Sequence, residues 1–353
     1  MHFAGDSASN TVKYVQLADF SIHYQPFDVD SQKVLLGLEE LGLLCGHMNI
    51  IHGWSRYDCD YLSFVTDGKI PVLFDGAHLI SDTQTILHHI DNTAAACNSA
   101  EASYQQQQQQ IQQVQRRLFP ESHTIEGQRV KHFTELLENI SLELIQYGSI
   151  KHPSAGAQSG AERKQLRRLM SNCAFKKIKG FYDNRRQKLE FYREKNPEFE
   201  QIYEKLIKNV KKINGDCENC DKLLKHLEIL QKVFDEIEKE LQHRQKEFED
   251  REFWLITGFI TNADLSLAVV LSTLHLFGFS SNFWSREKRP FLNRYFNKLY
   301  KRRSFYNSCI WPYTRRGAVL MFIRRRPTIV ISLFTGFTIL STIAITYLWY
   351  YSS

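Results

Sequence analysis

Apolar residues in the first part of the chain recur at two different periods. Short apolar runs at 20–24 and 47–51 predict β-strands. Between them, residues 31–41 repeat apolar positions at three- and four-residue steps and end before a glycine, which predicts an amphipathic helix. A further short helix is predicted around 57–64. The chain therefore begins with alternating strands and helices.

A hairpin signal follows these elements. Two apolar runs, 70–74 and 78–80, flank an Asp-Gly pair at 75–76, and such a pair is a strong turn signal. An aspartate can then cap a helix over 82–90. The order strand, helix, strand, helix, strand, strand, helix predicts an α/β domain over 14–92.

Most of the chain between residues 118 and 308 has apolar residues spaced with the helical period. We predict an all-α domain over 118–308, with a charged insertion at about 150–220. The predicted helices are 130–147, 162–210 with a break at Pro197, and 221–251. Residues 93–117 contain a glutamine tract of low complexity, which predicts an interdomain linker that is disordered or loosely helical.

One local pattern fixes the start of a central helix. Thr261 can cap a helix whose third residue, Asp264, reaches back to the Thr261 N–H, and Ile260 and Leu265 occupy the positions of a hydrophobic staple. The nearly all-apolar residues that follow predict a helix at the centre of a bundle. This pattern stabilises the fold and is not a ligand site.

The end of the chain has a different character. Residues 328–350 contain no charged residue and no proline, and as a helix they would span about 34 Å, enough for a bilayer core of about 30 Å. The alternative, a buried helix of a soluble domain, is disfavoured by this length. We predict one C-terminal transmembrane helix, a tail anchor that leaves the preceding chain in the cytosol.

Basic residues precede that helix within a juxtamembrane segment, 309–327. The membrane-proximal cations are Arg315, Arg316, Arg324, Arg325 and Arg326. This placement favours contact with anionic lipid headgroups, and we expect residues 311–321 to lie along the membrane surface. A nucleic-acid partner is the alternative for a chain of net charge +6, but the sequence contains no nucleic-acid-binding motif.

The seven cysteines show no disulfide framework, and a cytosolic location predicts free thiols. Cys217 and Cys220 form one C-x-x-C pair in a predicted turn beside Gly215. A redox or zinc site is one interpretation of this pair, but no second pair or histidine pair follows. We therefore predict no metal site.

Two segments resemble glutathione S-transferases. Residues 67–73, Asp-Gly-Lys-Ile-Pro-Val-Leu, look like the cis-proline segment of that family, and 254–267 look like the capping box and central helix of its helical domain. The resemblance implies a thioredoxin-like α/β N-terminal domain and an all-α C-terminal domain. It covers about 20–305, interrupted by the glutamine tract and the charged insertion.

The charged insertion, a Lys-Arg-Pro segment at 288–290 and the predicted tail anchor together resemble the ganglioside-induced differentiation-associated protein family. The stretch 254–303 carries most of this likeness. The resemblance implies a protein of the mitochondrial outer membrane, sometimes also of peroxisomes, that influences mitochondrial fission and redox balance. Partners in the mitochondrial dynamics machinery are implied in the same way.

The resemblance to glutathione S-transferases also suggests glutathione as a ligand. The positions that would bind it are Ile70, Pro71, Asp82 and Thr83. The usual pair at the last two positions is Glu or Gln followed by Ser, so Asp-Thr is a partial match. The alternative is structural: the proline shapes a turn and the aspartate caps a helix.

Catalysis in such a fold requires a hydroxyl or thiol near the end of the first strand. Tyr24 is the candidate, because it resembles the tyrosine of one class of the family, although packing is the alternative for a strand tyrosine. The serine or cysteine position of other classes falls near Asp28, where a carboxylate would repel a thiolate. Ser31 is interpreted as a helix cap.

Two functions of different kinds follow. The first is a tail-anchored protein, non-enzymatic or weakly active, that acts through protein partners or lipids. The second is a membrane-tethered glutathione transferase that conjugates glutathione to electrophiles. The charged insertion favours the first, because catalysis does not require it. Peroxisomal and endoplasmic reticulum membranes are alternative locations, since no basic residue follows the anchor, and a homodimer is compatible with the sequence.

Overall fold

The computed structural model describes residues 14–51, 53–105, 117–153, 170–248, 251–317 and 320. A four-stranded sheet opens the described chain. Its strands are β1 (Val15–Tyr24), β2 (Leu43–Ile50), β3 (Val72–Asp75) and β4 (His78–Ile80), and their order across the sheet is β2-β1-β3-β4. β2 is parallel to β1, whereas β3 and β4 are antiparallel neighbours. The mixed sheet confirms the predicted α/β arrangement.

The predicted hairpin is present between β3 and β4, where Asp75 pairs with His78 and Gly76 adopts a φ of 56°. β1 begins earlier than the predicted 20–24. Val15 to Leu17 pair with β2, whereas Phe20 to His23 pair with β3, and Ser21 to His23 pair with both neighbours. The first half of β1 is largely exposed, which explains why no apolar run marks it.

Three helices accompany the sheet: α1 (Val29–Leu41), α2 (Cys59–Leu62) and α3 (Thr83–Gln105). A 3-10 turn, Ser55–Tyr57, precedes α2. The cap of α1 is Asp28, not Ser31: the Asp28 carboxylate accepts a hydrogen bond from the Ser31 N–H at 2.8 Å. The prediction of Ser31 as the cap was wrong because both residue types favour that position, and sequence alone does not separate them.

α3 continues well past its predicted end at residue 90. Residues 93–105 of the predicted linker therefore extend this helix, and 106–116 lie outside the described residues. Alanine-rich sequence favours helix, and Ala94 is buried. The polar composition of the segment concealed this continuation.

The helical body contains nine helices within the described residues. They are α4 (Ile125–Glu138), α5 (Leu142–Lys151), α6 (Asn172–Lys195), α7 (Glu200–Glu218), α8 (Cys220–Phe248), α9 (Asn262–Leu276), α10 (Ser280–Trp284), α11 (Pro290–Tyr300) and α12 (Arg303–Phe305). A 3-10 turn, Pro197–Phe199, separates α6 from α7, which confirms the predicted break. A π-helical turn, Tyr306–Ile310, and a 3-10 turn, Trp311–Tyr313, follow α12.

The helix predicted over 130–147 is two helices. The chain turns at Asn139 and Ile140, and Ser141 begins α5 by accepting a hydrogen bond from the Leu144 N–H at 3.3 Å. The prediction was wrong because the apolar spacing continues across this cap. A new N-cap restarts a helix without interrupting its hydrophobic period.

α9 lies at the centre of the molecule, with almost every side chain buried. The predicted capping box is present, since the Asp264 carboxylate accepts a hydrogen bond from the Thr261 N–H at 2.9 Å. α1 packs closely on this helix: a Cβ at Gly37 would lie 3.3 Å from Leu265 Cδ1 and 2.9 Å from Leu87 Cδ2. The sheet domain and the helical body therefore share one core.

The insertion helices α6 and α7 pack back onto the sheet domain through a second hydrophobic cluster. Tyr57 and Leu62, after β2, belong to one buried cluster with Leu189 and Ile207 of the insertion. The Tyr203 hydroxyl donates a hydrogen bond to the Tyr57 carbonyl at 2.7 Å. These contacts hold the insertion helices against the segment of the sheet domain that follows β2.

The beginning of the predicted juxtamembrane segment belongs to the core. Cys309, Ile310 and Tyr313 are buried, and Gln32 Nε2 donates a hydrogen bond to the Tyr313 hydroxyl at 2.9 Å. The expectation that residues 311–321 lie along a membrane surface was therefore wrong for Pro312 and Tyr313, which are buried. Aromatic and apolar residues suit a lipid surface and a protein core equally, so composition did not separate them.

The described part of the chain includes no helix long and apolar enough to cross a bilayer. The predicted transmembrane helix, 328–350, lies outside the described residues, as do Arg324, Arg325 and Arg326. Arg315 and Arg316 are exposed at the end of the continuous described chain.

Candidate functional site

A cleft of ≈ 860 Å³ lies between the sheet domain and the helical body. Its floor is formed by the turn between β1 and α1 and by the start of α3, and its far wall by α4, α5 and α9. The segment after β2 and the insertion helix α6 close one side. The cleft therefore includes the start of α3, where two of the four predicted glutathione positions lie.

The N-terminus of α1 enters this cleft, and Asp28 occupies it. Besides the Ser31 N–H, the Asp28 carboxylate accepts a hydrogen bond from Ser31 Oγ at 2.9 Å. Burial raises the pKa of Asp28, while the nearby Arg56 guanidinium and the Ser31 N–H lower it. The helix N-terminus, a place that suits an external anion, is thus already occupied by the protein's own carboxyl group.

A second polar cluster surrounds Lys33. The Lys33 ammonium is almost fully buried and lies 2.8 Å from a Glu138 carboxylate oxygen, which Gln84 also contacts. Burial lowers the pKa of Lys33, and Glu138 opposes that effect. Burial, with Asp28 nearby, raises the pKa of Asp30 to about 7. This side of the cleft carries more carboxyl groups than cations.

Only two of the predicted site residues line the cleft. Asp82 and Thr83 do so at the start of α3, and the Asp82 carboxylate caps that helix by accepting a hydrogen bond from the Thr85 N–H at 2.9 Å. This hydrogen bond lowers the pKa of Asp82. The helix end at Asp82 is therefore satisfied internally.

Tyr24, Ile70 and Pro71 are not among the described residues that line the cleft. Tyr24 is 8% exposed within the hydrophobic core, and Ile70 is 5% exposed in a small cluster with Tyr61 and Val72. The Ile70–Pro71 peptide bond is cis, as the resemblance implied. The roles of Tyr24, Ile70 and Pro71 in catalysis and binding stay predictions.

The structure brings together four lining residues that sequence analysis did not identify. We call Trp54, Arg56, Phe181 and Arg185 the arginine–aromatic corner. The Trp54 and Phe181 rings stack at 4.9 Å between centroids, and both guanidinium groups lie against the Phe181 ring. The only sequence signal was the spacing of Phe181 and Arg185, which places them on one helical face.

Cys217 and Cys220 lie on consecutive helices. The Cys217 thiol is buried in the core near the end of α7, and burial raises its pKa to about 12. Cys220 is the first residue of α8. All seven thiols are free. The predicted turn between helices is present at Asn219, but Gly215 and Cys217 lie inside α7. Within the described ranges, no cluster of His, Cys, Asp or Glu side chains is suited to a metal ion.

Comparison with solved structures agrees with this architecture. Ure2p in complex with S-p-nitrobenzylglutathione superposes with a TM-score of 0.50 at 11% sequence identity, and the match covers 83% of this chain and 94% of that one. No model of a known protein family matches the sequence. The likeness shows that the fold, a mixed four-stranded sheet with a mostly helical body, is glutathione S-transferase-like.

Two sequence relatives support the same class. Glutathione S-transferase TCHQD of Arabidopsis thaliana is 28% identical over 116 residues, 31% of this chain and 43% of that protein. The human Ganglioside-induced differentiation-associated protein 1-like 1 is 25% identical over 281 residues, 78% of this chain and 69% of that protein. The chain is thus a glutathione S-transferase-like protein. Within that class it resembles the ganglioside-induced differentiation-associated protein family, as the sequence predicted.

Proposed function

We propose that this glutathione S-transferase-like protein is tethered to the cytosolic face of the mitochondrial outer membrane by its C-terminal segment. It acts there on mitochondrial fission and redox balance through protein partners and lipids, with little or no turnover of glutathione. The proposal rests on the resemblance to the ganglioside-induced differentiation-associated protein family, to which the 25% identity with the human Ganglioside-induced differentiation-associated protein 1-like 1 adds support. Peroxisomal or endoplasmic reticulum membranes are the alternative sites of tethering.

The observation that carries the non-enzymatic part is Asp28 at the N-terminus of α1. Its carboxylate accepts hydrogen bonds from the Ser31 N–H and the Ser31 hydroxyl. These donors are therefore not available to stabilise a bound thiolate. A negative carboxylate beside a bound thiol raises the pKa of that thiol by like-charge repulsion. The other candidate for activation, Tyr24, is buried in the core.

The tether is supported by the sequence. Residues 328–350 carry no charge, and arginines precede them. The exposed Arg315 and Arg316 are the described basic residues nearest to that segment. Contact of this basic stretch with anionic headgroups would add to the anchoring by the apolar segment.

Action through partners is supported by the insertion. α6 and α7 expose basic side chains without an ion-pair partner in the described chain, among them Lys205, Lys208 and Lys212 on one side of α7. The opposite side of α7 packs on the sheet domain through Tyr203 and Ile207. A packed helix with a free charged face is available for contact with an acidic surface.

A conjugation assay tests the catalytic part. The full-length chain in mild detergent is mixed with glutathione and 1-chloro-2,4-dinitrobenzene, and we expect a rate no higher than that without protein. A clear rate above background would instead favour the membrane-tethered transferase. A Tyr24→Phe variant with an unchanged rate would then exclude the Tyr24 hydroxyl from catalysis.

The transferase alternative has one structural observation in its favour. Asp82 and Thr83 line the cleft at the start of α3, where the resemblance implies contact with glutathione. Calorimetry with millimolar glutathione separates binding from turnover. No heat of binding would end the transferase interpretation.

Imaging in cells tests the tether. The chain is fused at its N-terminus to a fluorescent protein, and a matched variant lacks residues 328–353. We expect mitochondrial outlines for the first and diffuse cytosolic fluorescence for the second. Identical distributions would refute the tether, and a reticular or punctate peroxisomal pattern would refute the mitochondrial assignment alone.

A further inference from the structure

One exposed side of the insertion helix α6 carries lysines and no carboxylate. Lys177, Asn184, Lys188, Phe191 and Lys195 follow one another at steps of seven, four, three and four residues, which places them on the same side of a helix. All five are exposed, whereas the opposite side of α6 is buried against the body. We call these five residues the lysine stripe.

The three lysines of the stripe are not neutralised by the protein. Within the described ranges, none of them forms an ion pair with a carboxylate. The carboxylates of α6 lie on a neighbouring side of the helix, where Asp183 pairs with Lys179 and Glu190 pairs with Arg186 at 2.8 Å. Three positive charges therefore remain open to an external anionic partner.

Phe191 is the apolar member of the stripe. Its side chain is 54% exposed, and the Lys188 ammonium lies 5.7 Å from the centroid of its ring. Lys195 follows one helical turn later. Helices that lie on a bilayer combine these side chains, because the aromatic ring enters the headgroup region while the lysines contact anionic lipids. An anionic bilayer surface therefore fits both kinds of side chain in the stripe.

The start of α6 lies beside the point where the chain leaves the core toward its C-terminus. The N–H of Ser171, the N-cap of α6, donates a hydrogen bond to the Tyr313 carbonyl at 2.7 Å. Fifteen residues separate Tyr313 from residue 328, the start of the predicted anchor, and such a length of chain reaches at most about 50 Å. With 24 residues, α6 is about 36 Å long. The predicted anchor therefore holds α6 within reach of the membrane.

We propose that the lysine stripe of α6 lies against the anionic headgroups of the membrane that carries the anchor, with Phe191 in the headgroup region. This contact rests on the proposed function, because the anchor brings the helix to the bilayer. It adds a second attachment that fixes how the body is oriented on the membrane, with α6 facing the bilayer. The insertion then orients the protein as well as packing on the sheet domain.

Thiol labelling of the full-length chain in vesicles tests the contact. The chain is reconstituted in vesicles of phosphatidylcholine, with or without phosphatidylserine, and then reacts with an uncharged maleimide that does not cross the bilayer. Mass spectrometry follows each cysteine. Cys173 is exposed one turn before Lys177, and the Asn184→Cys variant adds a second reporter within the stripe. Cys220, the first residue of α8, is the internal reference.

We expect phosphatidylserine to slow the labelling of both reporters, relative to Cys220, by about fivefold or more, because each lysine near an anionic surface adds about a fivefold bias toward contact. Added salt should restore the labelling. Equal labelling in the two kinds of vesicle, in a chain that floats with both, would overturn this contact and leave the tether intact. A chain that floats with neither kind would overturn the tether and this contact together.

Variants assign the protection to the stripe. Lys188→Gln combined with Lys195→Gln should return the labelling of Cys173 in anionic vesicles to the rate in neutral vesicles. Lys205→Gln combined with Lys208→Gln is the matched control, because it removes the same charge from exposed positions of α7, and it should leave the protection unchanged. Equal loss of protection in both pairs would show that net charge, rather than the stripe, causes the effect and would overturn the assignment.

Discussion

Asp264 is the buried acceptor on which the start of α9 depends. Its Oδ1 accepts hydrogen bonds from the Leu255 N–H at 2.9 Å and the Tyr295 hydroxyl at 2.7 Å. Its Oδ2 accepts from the Thr261 N–H at 2.9 Å and the Thr261 hydroxyl at 2.8 Å. Four donors from three segments therefore converge on one carboxyl group. Each of its oxygens accepts a hydrogen bond from one backbone N–H, and the direction of that N–H is fixed by the backbone.

An Asp264→Asn substitution keeps the size of this side chain but turns one acceptor into a donor. One hydroxyl can rotate to a new partner, whereas one backbone N–H must face the amide NH₂. A buried donor left unpaired costs about 1–3 kcal/mol, and the weakened hydroxyl contact adds about 1 kcal/mol. Burial raises the pKa of Asp264, so loss of the buried carboxylate offsets part of this cost. We expect a net loss of about 2–3 kcal/mol in the free energy of unfolding.

Thermal unfolding of the full-length chain in mild detergent, followed by tryptophan fluorescence, measures the effect. A loss of this size corresponds to a melting temperature lower by about 5–10 °C for a domain of this size. Tyr295→Phe removes one donor and leaves three, so its effect should be smaller. Asp221→Asn is the control, because Asp221 is an exposed aspartate in the first turn of α8.

Two results would refute this reasoning. If Asp264→Asn melts within about 1 °C of the parent chain, the N–H that faces the amide finds another acceptor and the capping box is not a major stabilising element. If Tyr295→Phe costs more than Asp264→Asn, packing of the Tyr295 ring rather than the hydrogen bonds to Asp264 dominates this region.

Three further predictions concern protonation and the insertion. Burial lowers the pKa of His275 to about 4, whereas the pKa of a histidine in an unfolded chain is about 6.5. The unfolded state therefore binds a proton first, and the free energy of unfolding falls as pH drops from about 6.5 to 4. In the His275→Gln variant, the melting temperature should depend less on pH in this window. Burial raises the pKa of Asp30 to about 7. The folded state therefore holds this proton longer than the unfolded state, and the free energy of unfolding falls as pH rises from about 4 to 7. Asp30→Asn should raise the melting temperature above pH 7 but not near pH 3. Tyr203→Phe removes the hydrogen bond to the Tyr57 carbonyl and should speed amide hydrogen exchange in both α7 and the turn after β2, whereas equal exchange rates would show that ring packing alone holds the insertion.

Local signals in the sequence predicted much of the fold. The Asp-Gly turn between β3 and β4, the break at Pro197 and the box formed by Thr261 and Asp264 all appear as predicted. Each signal acts within a few residues, through backbone conformation or a short-range hydrogen bond. The interactions that produce these features therefore lie within the same short segments of sequence that predict them.

The candidate site depends on contacts between distant segments. Asp28 and Ser31 are both able to cap α1, and the observed hydrogen bonds select Asp28. Tyr24 was a candidate for catalysis, but it is buried in the core that the sheet domain shares with the helical body. Sequence spacing does not show which face of a strand will be covered.

The sequence by itself determined the order of strands and helices in the sheet domain, the central capped helix and the family resemblance, because these follow from local patterns. Only the tertiary structure brought Arg56, after β2, against Phe181 and Arg185 on the insertion helix. Those segments lie far apart in the chain, and the hydrophobic cluster around Tyr57 and Tyr203 joins them. Burial of apolar surface between distant segments, rather than any local signal, forms the cationic side of the cleft.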